Sequence, residues 1–241
     1  MVISKPKAIF FDLFGTLLTF RDFDQSQFIW TEAFYRRVGK PNGLSQDQIT
    51  AICNQILIES SPKEPGLTTY ETKIRNNFLR LKINIPQNEL KLLADESVSN
   101  WQNCIDLAVD TIEILAFFQT YLPLCLISNF DHSPHVRRLL SKYGIDKYFD
   151  RIIISDDVNC SKPDPEIFQI ALNYFNINPG DAIHVGDSPI DDIEGALSAG
   201  IKPILIERKS KSHIQDKKEF IEVEKVSSLS ELKGKISITC R

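Results

Sequence analysis

The chain of 241 residues is 42% hydrophobic and 25% charged, a globular composition sufficient for one large domain or two modest ones, which excludes disordered, collagen-like and disulfide-stapled proteins. Twenty-eight Lys and Arg against 32 Asp and Glu give a formal net charge of −4, so nothing marks a surface for nucleic acid or an anionic membrane. Five cysteines, at positions 53, 104, 125, 160 and 240, include no C-x-x-C pair and no Cys/His cluster with zinc spacing, which predicts reduced, buried thiols and a cytoplasmic setting.

Lys5 and Lys7 precede an apolar run, as in a signal peptide, but Asp12 interrupts that run and no small-residue cleavage site follows. Ala8–Phe14 (AIFFDLF) instead reads as a strand covered on both faces of a parallel sheet. Residues of roughly 20–108 offer no strand pattern and predict four amphipathic helices. One face carries Trp30, Ala33, Phe34 and Val38. The next begins at a Ser45/Gln48 capping box and repeats as Ile49, Ile52, Cys53, Ile56 and Leu57. Two more carry Tyr70, Ile74, Phe78 and Leu81, then Leu90, Leu93, Ala94 and Trp101. Pro41, Gly43, Pro62, Pro65, Gly66 and Pro86 punctuate them.

The apolar stretch Ile114–Ile127 is broken by Gln119, Thr120 and Pro123 and falls short of the roughly 20 residues that span a bilayer. From there the texture alternates. Pro123–Ser128, Arg151–Ser155, Asp181–Gly186 and Pro203–Ile206 read as strands. Helical segments lie between them: one from Ser133 to Gly144 facing inward with Val136, Leu139, Leu140 and Tyr143, then Pro165–Phe175, then Ile190–Ala199 stopped by Gly200. Such alternation means βαβ crossovers. The fold class is therefore α/β, a doubly wound parallel sheet formed by residues 1–17 and 109–241, with an all-helical domain, 18–108, inserted after the first strand. The Lys/Glu-rich stretch 207–225 reads as a solvated surface segment.

Ligands of open parallel sheets bind beyond the carboxyl ends of the strands. There the sequence places Asp12 and Thr16, then Ser128-Asn129, then Lys162-Pro163, then Gly186-Asp187 with Asp191 and Asp192. A carboxylate can attack phosphorus, a second can hold Mg²⁺, and Lys⁺ with neutral donors can spread over phosphoryl oxygens. This set is complete for metal-assisted phosphoryl transfer to a carboxylate.

Four segments, FFDLFGTL (10–17), LISNFD (126–131), SKPDPEIF (161–168) and HVGDSPIDDIEGALSAG (184–200), resemble in order the four signatures of the haloacid dehalogenase (HAD) superfamily, whose core is Rossmann-like and here carries a helical cap. The resemblance implies that Asp12 is the nucleophile and a metal ligand and that Thr16 supports its loop. It implies further that Ser128 and Asn129 contact the phosphate, that Lys162 neutralises nucleophile and phosphate, and that Asp187 is the second metal ligand. Asp192, which precedes Ile193, fits the last acid better than Asp191. The expected activity is an Mg²⁺-dependent phosphohydrolase acting on a small phosphorylated molecule, with neither nucleic acid nor membrane as partner, and with a cap that excludes water and sets specificity.

Phe14 departs from the phosphatases of this superfamily, which carry Asp there as general acid and base. The backbone carbonyl at Phe14 can still serve the metal, but a proton relay worth typically about 10²–10⁴-fold is missing. Dehalogenases have an aromatic Tyr at that position, which opens the alternative of a metal-independent 2-haloacid dehalogenase; they lack the Gly-Asp of the last signature, and where they carry a Tyr after the lysine this chain has Phe168. A catalytically weak binding protein on the same fold is a further alternative. His184 reads as strand filling, His132 and His135 as surface residues near a helix start, and Arg36 and Arg37 as a solvated helix face.

Overall fold

Every side chain of Ala8–Phe11 (β1) is buried, and the reason is its place. In the computed structural model, which describes residues 3–4, 6–208 and 223–238, β1 lies inside a six-stranded sheet. Its other members are Leu124–Ser128 (β2), Arg151–Ile154 (β3), Ala182–Gly186 (β4), Lys202–Ile206 (β5) and Glu224–Val226 (β6), in the order β3-β2-β1-β4-β5-β6, all parallel. Phe10 is in register with Cys125 on one side and His184 on the other. The period-two rule puts Ala8 and Phe10 on one face, where they join Cys125, Ile127 and Ile153 against Ile167, Phe168, Ala171 and Leu172 of the helix Pro165–Phe175. The sheet is thus the doubly wound α/β core that the apolar runs predict.

The chain divides into two compact units. The first comprises residues 1–19, 106–130 and 137–241; the second comprises 20–105 and 131–136. Two short strands, Leu18–Phe20 and Ile105–Leu107, pair where the chain passes between the units. No strand is expected within 20–108, and segments of three residues are too short to show a period of two.

The second unit is built on four helices, α1 (Phe23–Phe34), α2 (Gln46–Ile58), α3 (Thr69–Arg80) and α4 (Gln87–Trp101). The Ser45/Gln48 capping box forms, and Thr68 with Glu71 makes a second one at α3. Trp30 Nε1 donates to the Tyr70 hydroxyl at 2.7 Å, and that hydroxyl meets Ser97 Oγ at 2.8 Å, so the polar tips inside the bundle are satisfied. Leu57 and Leu81, expected on inward faces, are instead about half exposed at helix ends. Arg36 and Arg37 both pair with Glu96.

His132 and His135 are each 1% exposed, contrary to their reading as surface residues. The helix Ser133–Tyr143 (α5) starts inside the second unit. There Thr68 Oγ1 lies 2.9 Å from His132 Nδ1 and Asp95 Oδ1 3.0 Å from Nε2, which accounts for both ring nitrogens.

The stretch 207–225 is also not wholly a solvated segment. Residues 209–222 lie outside the described residues, as does Cys240, but Arg208 is mostly buried and Glu224 opens β6. An edge strand needs only one inward side chain, here Val226, so charged neighbours such as Lys225 hide it from composition. Among the described cysteines, Cys53, Cys104 and Cys125 are buried, Cys160 is half-buried, and all are free thiols. No described helix is long and apolar enough to cross a membrane.

Candidate active site

β1 delivers Asp12. Its backbone N–H continues the ladder to the Val185 carbonyl at 2.9 Å, and its side chain leaves the strand end into a buried pocket of charge. The loop that follows turns on Gly15, whose φ of +93° is in the region glycine alone enters freely. A Cβ at Gly15 would lie 2.0 Å from Asp187 Oδ2, and a Cβ at Gly186 2.1 Å from Asp192 Cγ. Both glycines are therefore what lets the acids approach.

Lys162 enters from the loop beyond β3, on a cis Lys162–Pro163 peptide. Asn129, at the end of β2, clamps that loop: its Oδ1 accepts from Lys162 N at 2.9 Å and its Nδ2 donates to Lys162 O at 2.8 Å. Lys162 Nζ donates to Asp12 Oδ1 at 2.6 Å and to Asp192 Oδ1 at 2.7 Å. Asp192 Oδ1 also receives His184 Nε2 at 2.9 Å, and its Oδ2 accepts from Ser188 N at 3.0 Å. Asp191 lies apart from this group, its Oδ2 3.4 Å from Asn129 Nδ2.

Asp12, Asp187 and Asp192 each offer one oxygen, and these oxygens lie within 4.8 Å of one another. Charge crowding follows. Burial raises Asp12 to about 6, against the pull of Lys162 and with the push of Asp192. Burial, with the charges of Asp12 and Asp192, raises Asp187 to about 8. Burial works in the same sense on Asp192, but the Lys162 ammonium and the His184 N–H hold it well below the usual carboxylate range. Lys162 is buried too, and its two carboxylates keep it charged. Burial lowers the pKa of His184, and facing a carboxylate oxygen its Nε2 is the donor.

Three side-chain oxygens among these strand ends, Asp12 Oδ2, Thr16 Oγ1 and Ser128 Oγ, are buried without a partner among the described residues. A buried polar atom with no hydrogen bond costs about 1–3 kcal/mol, so three together point to a polar ligand. A cation fits as well: its charge would offset the burial and the neighbouring carboxylates that raise Asp187. Beside these groups the ring of Phe14 stacks on Phe130, centroids 5.1 Å apart and planes at 28°, and offers no proton.

The geometry also holds residues that the sequence reading leaves aside. His184 does fill its strand, yet its Nε2 supports Asp192. Arg208, two residues beyond β5, donates from Nη2 to the Thr16 carbonyl at 2.7 Å. The strand-end rule that singles out Asp12 and Asp187 would have found Arg208 had it been applied to Pro203–Ile206.

A family model for haloacid dehalogenase-like hydrolases matches residues 6–200. Haloacid dehalogenase-like hydrolase domain-containing protein 3 of Mus musculus is 38% identical over 85 residues, 35% of this chain and about a third (33%) of that relative's length. N-acylneuraminate-9-phosphatase of Homo sapiens is 26% identical over 211 residues, 84% of this chain and 82% of that one. Among solved structures, a HAD phosphatase from Thermococcus onnurineus superposes with a TM-score of 0.68 at 24% identity, covering 95% of this chain and 96% of that one. A 2-haloacid dehalogenase from Pseudomonas syringae pv. Tomato DC3000 gives 0.68 at 22% identity, covering 97% of each chain. Likeness at that identity speaks for the fold alone, whereas the family model spans most of the sequence: the chain belongs to the haloacid dehalogenase-like hydrolases.

Proposed function

We propose that the protein is an Mg²⁺-dependent phosphohydrolase of a small phosphorylated molecule, working through an aspartyl-phosphate on Asp12. The observation that carries this reading is the trio of buried, unpartnered oxygens on Asp12, Thr16 and Ser128, which suits an oxygen-rich anion beside a carboxylate. N-acylneuraminate-9-phosphatase, alike over most of both chains, supports a phosphate ester as substrate.

In this mechanism Asp12 Oδ2 attacks phosphorus in line, and the bond from phosphorus to the leaving oxygen breaks. Lys162 holds the other carboxylate oxygen in place and balances charge as the phosphoryl group approaches. The Ser128 hydroxyl donates to a phosphoryl oxygen, Thr16 steadies the loop, and Asn129 keeps Lys162 aimed through its backbone. Water then cleaves the aspartyl-phosphate and frees Asp12. Asp12, Asp187 and the Phe14 carbonyl would hold Mg²⁺, with Asp192 as a direct ligand or one hydrogen bond away, and the ion when bound draws negative charge from the phosphoryl oxygens. The helices inserted between β1 and β2 serve as the cap that selects the substrate.

One observation favours a second reading. The Phe14–Phe130 stack puts an apolar surface where a proton relay would stand, as suits attack of Asp12 on the carbon of a 2-haloacid. A screen of phosphate release from p-nitrophenyl phosphate and halide release from 2-chloropropionate, with and without Mg²⁺, separates the two. Phosphate release that needs Mg²⁺ is the expected result, and halide release without metal would overturn it. Neither product, with retained affinity for phosphate, would mean a binding protein.

A further inference from the structure

The loop from Asp12 to Leu18 must hold the nucleophile still, and several of its backbone groups are paired within the loop or with the segment 108–111. Gly15 N donates to Leu18 O at 2.7 Å, and Leu17 N and Leu18 N both donate to Leu13 O, at 3.0 and 2.8 Å. Leu17 O accepts from Ala108 N at 3.0 Å and from Thr111 Oγ1 at 2.8 Å. The Thr16 carbonyl takes its hydrogen bond from a distant residue, Arg208, at 2.7 Å.

We infer that Arg208 is a positioning residue for the Asp12 loop, fixing it through the Thr16 carbonyl. The guanidinium is placed for this role from both ends. Its backbone leaves β5 where Glu207 N donates to Val226 O at 2.8 Å, so the pairing of β5 with β6 aims the side chain. At the tip, Nη2 lies 3.7 Å from Asp110 Oδ1, while Asp110 Oδ2 accepts from Ser230 N at 3.0 Å. The side chain is 17% exposed, and the charge of Asp187 acts on it. Gly15 and Thr16 therefore lie between two supports, Asp187 against Gly15 and Arg208 on the Thr16 carbonyl. A largely buried cation on a backbone carbonyl makes a charge-assisted hydrogen bond, roughly twice as strong as a neutral one. The family match ends at residue 200, short of Arg208.

The inference rests on the phosphohydrolase reading only in its kinetic arm, so the experiment has two. Hydrogen exchange of the full chain compares the peptide covering residues 12–18 with one covering 124–128, in the parent, Arg208→Ala and Arg208→Lys. Kinetics on p-nitrophenyl phosphate with Mg²⁺ are read on the same preparations. Arg208→Ala should speed exchange in 12–18 by about tenfold and leave 124–128 unchanged. It should also lower kcat by roughly tenfold with KM nearly unchanged, because a misplaced nucleophile loses transition-state rather than ground-state contacts. Arg208→Lys, which keeps one donor for the Thr16 carbonyl, should recover most of both. If Arg208→Ala fails to fold, Arg208→Gln takes its place in both arms.

Unchanged exchange at 12–18, or equal loss of protection at 12–18 and 124–128, overturns the inference. Localised exchange in a protein that releases no phosphate would uphold Arg208 and overturn the phosphohydrolase reading instead.

Discussion

Lys162 divides one ammonium between Asp12 and Asp192, 2.6 Å from the first and 2.7 Å from the second. The two carboxylates are not equivalent. Asp192 has both oxygens occupied, by Lys162, His184 and Ser188, whereas Asp12 Oδ2 has no partner among the described residues. One acid is thus a fixed support for the lysine and the other keeps an oxygen for chemistry.

Removing the lysine tests that arrangement. Lys162→Met should lower kcat on p-nitrophenyl phosphate by about 10²–10³-fold. It also leaves two buried carboxylates without their counter-charge, a change that costs about 3–5 kcal/mol when one partner of a buried pair is lost. Urea denaturation of the variant checks the second figure. Asp12→Asn, by contrast, keeps the shape and should abolish turnover without loss of fold, and retained phosphate release would sink Asp12 as nucleophile.

The raised carboxylates set a pH dependence for metal affinity. Asp12 and Asp187 are protonated below about 6 and about 8 respectively, and a cation must displace those protons. Mg²⁺ affinity should therefore rise with pH through that window, with proton release detectable by calorimetry in buffers of different ionisation enthalpy. Asp187→Asn should abolish measurable affinity, and unchanged binding in that variant would remove Asp187 from the ligand set. The same shifts have a stability sign. Carboxylates whose folded pKa is raised oppose folding once ionised, so the metal-free protein should lose stability between about pH 4 and about pH 8, and Mg²⁺ should restore it.

Phe14 predicts substrate preference. With no acid at this position, leaving groups that need little protonation, such as aryl and acyl phosphates, should react fastest, and alkyl phosphates slowly. Phe14→Asp should raise turnover of alkyl phosphates selectively, by up to about 10²-fold if the carboxyl reaches the bridging oxygen. Loss of the stack on Phe130 makes a melting curve a necessary companion. A folded variant with the parent's alkyl-to-aryl rate ratio would show that another group supplies the proton.

Glu59 sets a pH-dependent contribution to the stability of the helical unit. Burial alone would raise its pKa, but hydrogen bonds from Ser61, Arg80 and Asn77 hold it below the ordinary 4.5. A depressed carboxylate stabilises the fold above its unfolded pKa and ceases to do so as pH falls through the folded value. Glu59→Gln should cost about 1–3 kcal/mol at neutral pH, and the gap between variant and parent in urea melts should close on acidification. A gap that stays constant over the whole acid range in which both proteins remain folded would remove Glu59 from the account.

Asp12, Ser128, Lys162 and Asp187 are legible because parallel strands buried on both faces leave continuous apolar runs, and the polar residues after each run lie at one edge. β6 is not, since its one buried side chain, Val226, sits among charges. His132 resembles any polar residue at a helix start, for the partners that bury it, Thr68 and Asp95, are distant in sequence. Leu57 and Leu81 follow a helical period that runs on past the edge of the packed face. Arg208 sits beside a Lys-rich stretch whose composition drowns the signal, and only the strand before it gives it away.

The strand that carries Asp12 lies between neighbours that enter the chain more than a hundred residues later, β2 and β4, in register with Phe10 on either side. Closing such long loops carries an entropy that local helical contacts avoid, so pairing of this kind is slow. The helices of the inserted unit, whose contacts are closer in sequence, can form while β1 still waits for β4 to be synthesised. On the ribosome, Asp12 therefore emerges well before β4 and acquires its surroundings only when that strand arrives, and a chain cut short before Gly186 carries β1 without its β4 neighbour or Asp187.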